Sequence, residues 1–422
     1  MLFFRSFLDH WLINRSLEAD SLIMETPLDP EQFYGEVLKA NGIDRSFGVP
    51  DSTLSPFLSY LAAVKCTRKH VTVASEGAAV ALAAGYYLST GNLALVYMQN
   101  SGYSNALNPL QSLVAKEVFG IPMLLMIGWR GRPGEKDEPQ HNLIGPNILK
   151  NLEANNIPYE ILPEGISLAR SSVGRLVARA KQGNTPVALL VRAKSFAAYT
   201  GPVVARWASA APTQSKTVKW LSSSTEKPVL SRESTIESIL GALKSNDISV
   251  SSLGGNSREL WMLRKNKGQS IARNFFCIGA MGHTYALAHG VSNGCRANRV
   301  VCIDGDGSFM MHLGNNAILA PLPEQRVVHV VIYNGMHSST GNQPLMIGRG
   351  DLLALVEGLP YERKFIVDTA DGVTKALRSV DRSALILVPV NGDERKSLPR
   401  PTETPTEQKD AFMKSFGSNS KL

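Results

Sequence analysis

The sequence predicts an α/β protein made of two mainly parallel sheets flanked by helices, and three observations carry that expectation. Short apolar segments with strand character recur between longer segments with helical spacing. A stretch at 201–227 rich in Pro, Ser, Thr and Ala interrupts this alternation, which then resumes. Strands separated by helices read as parallel sheet, because a parallel pair needs a long crossover and a helix usually supplies it.

Within the first half, helices are expected over 30–41, 55–64 and 77–90, and strands over 71–74, 93–98, 123–127 and 187–191. In the second half Ser234 and Glu237 suggest a capping box opening a helix, and strands are expected over 248–251, 300–303, 327–333 and 384–388. The domains expected are therefore an N-terminal extension at 1–23, a first domain at 24–200, a linker at 201–230, a second domain at 231–392 and a disordered tail at 393–422. The extension has Arg5 and Arg15 among apolar residues, but Asp9, Glu18 and Asp20 run against the acid-poor composition of a transit peptide. Pro, Thr, Ser and charged residues dominate the tail, which ends Ser420-Lys421-Leu422.

A chain of 422 residues has room for two cores. No apolar run approaches the roughly 18 residues that would span a bilayer, so no membrane role is expected. Four cysteines without CxxC spacing argue against a zinc site or a disulfide framework. The net charge of +8 is dispersed along the chain, which disfavours nucleic acid and suits a small anionic substrate.

The segment Val300-Val301-Cys302-Ile303-Asp304-Gly305-Asp306-Gly307-Ser308 runs from a buried strand into a glycine-flanked acid and a helix start. Gly305, Gly307 and Ser308 would let a diphosphate approach the backbone, and Asp306 could bind the cation bridging its phosphates. By itself the motif also fits an acidic turn that caps a helix. The residues Ile332-Tyr333-Asn334-Gly335 end a second strand, with 25 residues between Gly307 and Tyr333. Adjacent parallel strands would set Asn334 beside Asp306, giving Mg²⁺ the hard oxygen ligands it prefers.

This spacing resembles the signature of thiamine-diphosphate-dependent enzymes, in which an Asn pair follows Gly-Asp-Gly by about 25 residues. The resemblance implies Asp306, Asn334 and the carbonyl of Met336 as metal ligands; Tyr333 departs from it, standing where the first Asn is expected. It extends to Ile278-Gly279-Ala280-Met281-Gly282, implying that Gly279 meets the aminopyrimidine and that Met281 wedges the cofactor into its bent shape. It also implies that Glu76, at the end of a strand and the start of a small-residue helix, hydrogen-bonds the pyrimidine ring and shares a proton there.

Longer stretches resemble the phosphonopyruvate decarboxylase family: Gly48-Val49-Pro50-Asp51-Ser52, the run from Tyr97 to Pro109, Ile127-Gly128-Trp129-Arg130, Ser257-Arg258-Glu259-Leu260 and Gly341-Asn342-Gln343-Pro344. The expected fold is then a pyrimidine-binding and a diphosphate-binding domain with no central domain between them. The expected reaction is thiamine-diphosphate- and Mg²⁺-dependent decarboxylation of 3-phosphonopyruvate to phosphonoacetaldehyde and CO₂, in 2-aminoethylphosphonate biosynthesis. Sulfopyruvate decarboxylase and a non-catalytic thiamine-fold protein are the alternatives. Asn100, Ser101, Asn105, Arg130 and His141 are the candidate substrate contacts, and His337 is the candidate proton relay. Two further departures are Ser338, where relatives often carry an acid, and Leu253, where they tend to carry Thr. The family forms its site between subunits, so at least a homodimer is expected. Ser-Lys-Leu at the end suggests recognition by a peroxisomal import receptor and a peroxisomal or glycosomal location.

Overall fold

A computed structural model describes residues 27–64, 69–201, 218–221, 228–322, 325–392, 395 and 397–417. Six strands in the first half, β1 (Ser46–Gly48), β2 (His70–Thr72), β3 (Leu95–Gln99), β4 (Leu124–Gly128), β5 (Tyr159–Ile161) and β6 (Val187–Val191), form one sheet in the order β2-β1-β3-β4-β6-β5. In the second half β7 (Lys219–Trp220), β8 (Ile248–Ser251), β9 (Asn274–Phe276), β10 (Val300–Gly305) and β11 (Val327–Tyr333) belong to a second sheet. After a separate antiparallel hairpin of β12 (Met336–His337) and β13 (Gln343–Pro344), this sheet is completed by β14 (Arg363–Ile366) and β15 (Ala384–Pro389). Its order is β7-β14-β15-β11-β10-β8-β9, and every pairing in both large sheets is parallel.

The sheets are covered on both faces, which explains their continuous apolar runs. Every residue of β4 and of β15 is buried. Each sheet packs one face on a core of its own, while a third core runs between the two halves of the molecule. At the centre of that shared core lie the helices Glu76–Thr90 and Thr284–Gly294. Their small residues let the two backbones touch. A Cβ at Gly85 would stand 2.1 Å from the Leu287 carbonyl oxygen, and one at Gly290 would stand 2.1 Å from that of Leu82.

The expected tail is corrected by the structure. Residues 405–414 form the helix Pro405–Lys414, opened by a capping box in which Thr404 accepts from the Glu407 N–H and Glu407 accepts from the Thr404 N–H. Phe412 is fully buried against Phe275 and Phe416, Gln408 accepts from the Phe276 N–H, and Lys409 donates to the Gly120 carbonyl. The helix therefore ties the second sheet to the first half. Composition hid this because few apolar residues make the contact. The other expected capping box is also shifted, formed by Ser231 and Ser234 rather than Ser234 and Glu237. Within the expected linker, Lys219–Trp220 pairs with β14. The extension at 1–23 and the terminal Ser420-Lys421-Leu422 lie outside the described residues.

Because the Gly85–Gly290 approach leaves no room for a side chain, Gly290→Ala is expected to lower stability by about 1–3 kcal/mol through overpacking. Thermal melting checks this, with Gly241→Ala, where a Cβ meets nothing within 4 Å, as the neutral control.

Candidate active site

Ligands bind open α/β sheets at the carboxyl ends of their strands, and both sheets gather polar residues there. In the second sheet, β10 and β11 are neighbours with Gly305 opposite Ile332, so the residues that follow them emerge side by side. Asp306 is buried; its Oδ1 accepts from the Gly307 N–H at 2.7 Å, and its Oδ2 accepts from Asn334 and Gly335 at 3.1 and 2.7 Å. Burial pushes the Asp306 carboxyl above its ordinary pKa, although these three N–H groups work against the shift.

One cleft collects nearly all the sequence-predicted residues of this half: Met281, Gly305, Asp306, Gly307, Ser308, Asn334, Met336 and His337 all line it. Met281 arrives from the end of β9 through Ala280, whose φ of +54° and hydrogen bond to Ser112 Oγ turn the chain inward. Gly282 N–H donates to Ser308 Oγ at 3.1 Å, joining that turn to the acidic loop. A Cβ at Gly307 would lie 2.9 Å from the His337 ring and 3.4 Å from the Met281 methyl, so the cradle depends on its absence. Gly279 is not among the residues lining the cleft; it packs against Ser112 instead.

Sequence reasoning missed further lining residues, Ser252, Gly254, Gly255 and Asn256, at the start of the helix Gly255–Asn266, together with Arg232. A helix start and a glycine-flanked acid facing one cleft suit a diphosphate, and the Gly254-Gly255-Asn256 run was the available signal. Arg232 makes two hydrogen bonds to the buried carboxylate of Glu259, at 2.8 and 3.0 Å. Asp306, the amide oxygen of Asn334 and the Met336 carbonyl could hold a divalent cation, and a cation there would offset the burial of Asp306. Behind the loop, Cys302, Asp304 and His329 converge in the core, where His329 meets Tyr361 Oη at 2.9 Å and Asp304 Oδ2 at 3.4 Å.

The first sheet carries a separate group. Glu76 opens its helix after the N-cap Ser75 and is buried, and its Oε2 accepts from Asn105 Nδ2 at 3.0 Å. A Cβ at Gly102 would lie 2.3 Å from Glu76 Oε1, so Gly102 makes the space for that carboxylate. Asn100 is fully buried and donates to the Arg130 carbonyl at 2.7 Å, which is a structural tie. Arg130 is paired with Asp137 through Nε and Nη2, holding that carboxyl well below the usual range, and its Nη1 donates to Ser52. Its charge is thus already matched. Ser101 is exposed and accepts from Gln99, and His141 is buried against Gly131. Asp51, from the Gly48–Ser52 stretch, is buried just past β1 with its pKa raised by desolvation, and it accepts from the Leu54 N–H at 3.1 Å. Neither Glu76 nor any candidate substrate contact lines the cleft of the second half.

Comparison with known proteins agrees with this division. Residues 32–150 match the thiamine pyrophosphate enzyme N-terminal TPP binding domain, and residues 254–373 match the C-terminal TPP binding domain. A phosphonopyruvate decarboxylase of Streptomyces hygroscopicus is 31% identical over 406 residues, spanning 87% of this chain and 88% of that protein. The chain belongs to the thiamine-diphosphate-dependent decarboxylase family. The beta subunit of sulfopyruvate decarboxylase from Methanocaldococcus jannaschii is 32% identical over 114 residues, 27% of this chain and 57% of that one. In fold, the decarboxylase is similar to a thiamine diphosphate-dependent 4-hydroxybenzoylformate decarboxylase from Rhodococcus jostii RHA1, with a TM-score of 0.63 and 15% identity over 87% of this chain and 99% of that one.

Two substitutions probe the halves separately. Gly307→Ala fills the cradle and is expected to weaken thiamine diphosphate binding at least tenfold in calorimetry. Gly102→Ala displaces the Glu76 carboxylate and is expected to lower kcat at least tenfold, with the far-UV circular dichroism of the folded chain unchanged.

Proposed function

We propose that this decarboxylase converts 3-phosphonopyruvate to phosphonoacetaldehyde and CO₂ with Mg²⁺ as its metal, a step of phosphonate biosynthesis. The observation that carries the reading is the 31% identity to a phosphonopyruvate decarboxylase along 87% of the chain. Asp306, Asn334 and the Met336 carbonyl would hold Mg²⁺ against the diphosphate, with the helix start at Gly255 lining the same cleft. When bound, thiamine diphosphate supplies the electron sink for the carbon that loses CO₂. The protein's part is orientation and proton handling. Glu76, fixed by Asn105 and given room by Gly102, holds a proton at the pyrimidine N1′. His337, stacked over Gly307 at the cleft, is the group best set to return a proton to the product carbon.

The separation of Glu76 from the cleft supports a site completed by a second copy of the chain. One copy then contributes Glu76 and its neighbours, and the other contributes Asp306 and Asn334. Equimolar mixtures of Glu76→Gln and Asp306→Asn chains are expected to regain about a quarter of wild-type activity after subunit exchange, although each variant alone is inactive. No recovery on mixing, with exchange verified by native mass spectrometry, contradicts the shared site.

Sulfopyruvate is the second reading, favoured by the match to a sulfopyruvate decarboxylase subunit. It carries a sulfonate on the same keto-acid skeleton. The proposed substrate predicts a kcat/KM for phosphonopyruvate at least tenfold above that for sulfopyruvate, and the reverse ratio would replace it. Peroxisomal import through Ser420-Lys421-Leu422 belongs to the same proposal. A fluorescent reporter carrying the last dozen residues should enter peroxisomes, and a cytosolic reporter would contradict import.

A further inference from the structure

Asn334 has to present its amide oxygen, not its NH₂, wherever it serves as a metal ligand, because an NH₂ group offers a cation no lone pair. The two orientations of an Asn amide have nearly the same shape, so neighbouring hydrogen bonds decide between them. Two neighbours act on Asn334. The Met336 N–H donates to Oδ1 at 3.1 Å, and Nδ2 donates to Ser338 Oγ at 2.7 Å. A flipped amide would aim its NH₂ at the Met336 N–H, setting donor against donor. Met336 therefore selects the oxygen side, and Ser338 secures the other side by accepting the amide hydrogen. Oδ1 uses one lone pair on Met336 and keeps a second.

The loop that carries Ser338 is braced to hold this arrangement. Its entry is fixed where Asn334 and Gly335 donate to Asp306. Its return is fixed where Asn342 donates to the His337 carbonyl at 3.1 Å and Leu345 donates to that of Gly335 at 2.9 Å. Thr340 and Gln343 exchange hydrogen bonds across the tip. Ser338 sits half-buried between these anchors and lines the cleft together with Asn334.

We infer that Ser338 is a positioning residue that locks the Asn334 amide with its oxygen toward the metal corner beside Asp306. This rests on the proposed metal role of Asn334. A hydroxyl is a weaker lock than a carboxylate would be, since it can also donate and so tolerates the flipped amide, whereas a carboxylate only accepts. Ser338 thus makes the lock without adding a second negative charge to a cleft whose lining contains Asp306 as its one carboxylate among the described residues.

The test needs no substrate. Mg²⁺ is titrated calorimetrically into the full chain with saturating thiamine diphosphate, and apo melting temperatures are measured in parallel. Loss of a group that orients a metal ligand typically costs 10- to 100-fold in affinity. Ser338→Ala is expected to raise the Mg²⁺ dissociation constant at least tenfold with the apo melting temperature unchanged, and Ser338→Asp is expected to restore it to the wild-type value or below. Equal Mg²⁺ affinity in wild type and Ser338→Ala overturns the inference, as does Ser338→Asp failing to restore it. If the wild-type chain shows no Mg²⁺-dependent cofactor binding, the metal role of Asn334 fails first and takes the inference with it.

Discussion

Everything at the candidate site hangs from the contact between the helices Glu76–Thr90 and Thr284–Gly294. Their backbones meet at Gly85 and Gly290, closer than any side chain would permit. One helix begins with Glu76, and the other begins just after the Met281-Gly282 turn. Glu76 and the Met281-Gly282 turn thus stand at helix entrances, and sliding either helix would move its entrance by the same amount. Hydrogen bonds reinforce the alignment where Asn315 meets the Ala74 N–H and Ser75 Oγ, each at 3.1 Å, and where Ser112 meets the Ala280 N–H at 2.8 Å. Dispersion and apolar burial fix how far apart the halves sit, and the polar ties fix their register.

A second constraint is electrostatic. Asp306 is a buried carboxylate whose hydrogen bonds among the described residues come from backbone N–H groups, an arrangement that leaves its charge incompletely balanced. Arg232, which lines the cleft, is paired with Glu259. The cleft therefore combines an under-compensated acid with N–H groups at a helix start. A metal-diphosphate pair would meet both needs at once, since a cation would answer Asp306 and phosphates would answer the N–H groups. The group around Glu76 has a different character: there, Gly102 and the Asn105 amide frame the carboxylate.

Much of this was legible in the sequence, and the parts that were not have physical reasons. Apolar runs such as those of β4, β6, β11 and β15 announce themselves because both faces are buried. Three-residue strands such as Ser46–Gly48, Tyr159–Ile161 and Asn274–Phe276 are too short to show a period, and were missed. Gly305, Asp306 and Gly307 were readable because adjacent residues converge by local geometry alone. Arg232 was not, since its place at the cleft depends on a partner, Glu259, that is 27 residues away. Arg130 looked like an anion contact from its charge and loop position, but Asp137 seven residues later takes that charge. The Pro405–Lys414 helix was misread as tail because its docking depends on Phe412, Gln408 and Lys409 finding partners elsewhere in the fold.

The central claim is that two half-sites on one scaffold decarboxylate a phosphonate-bearing keto acid. The most direct measurement incubates the purified chain with thiamine diphosphate, Mg²⁺ and phosphonopyruvate, and follows CO₂ and phosphonoacetaldehyde together. The account predicts equimolar release of both, abolished in Glu76→Gln. Cofactor binding in calorimetry without release of CO₂ from this substrate would contradict it.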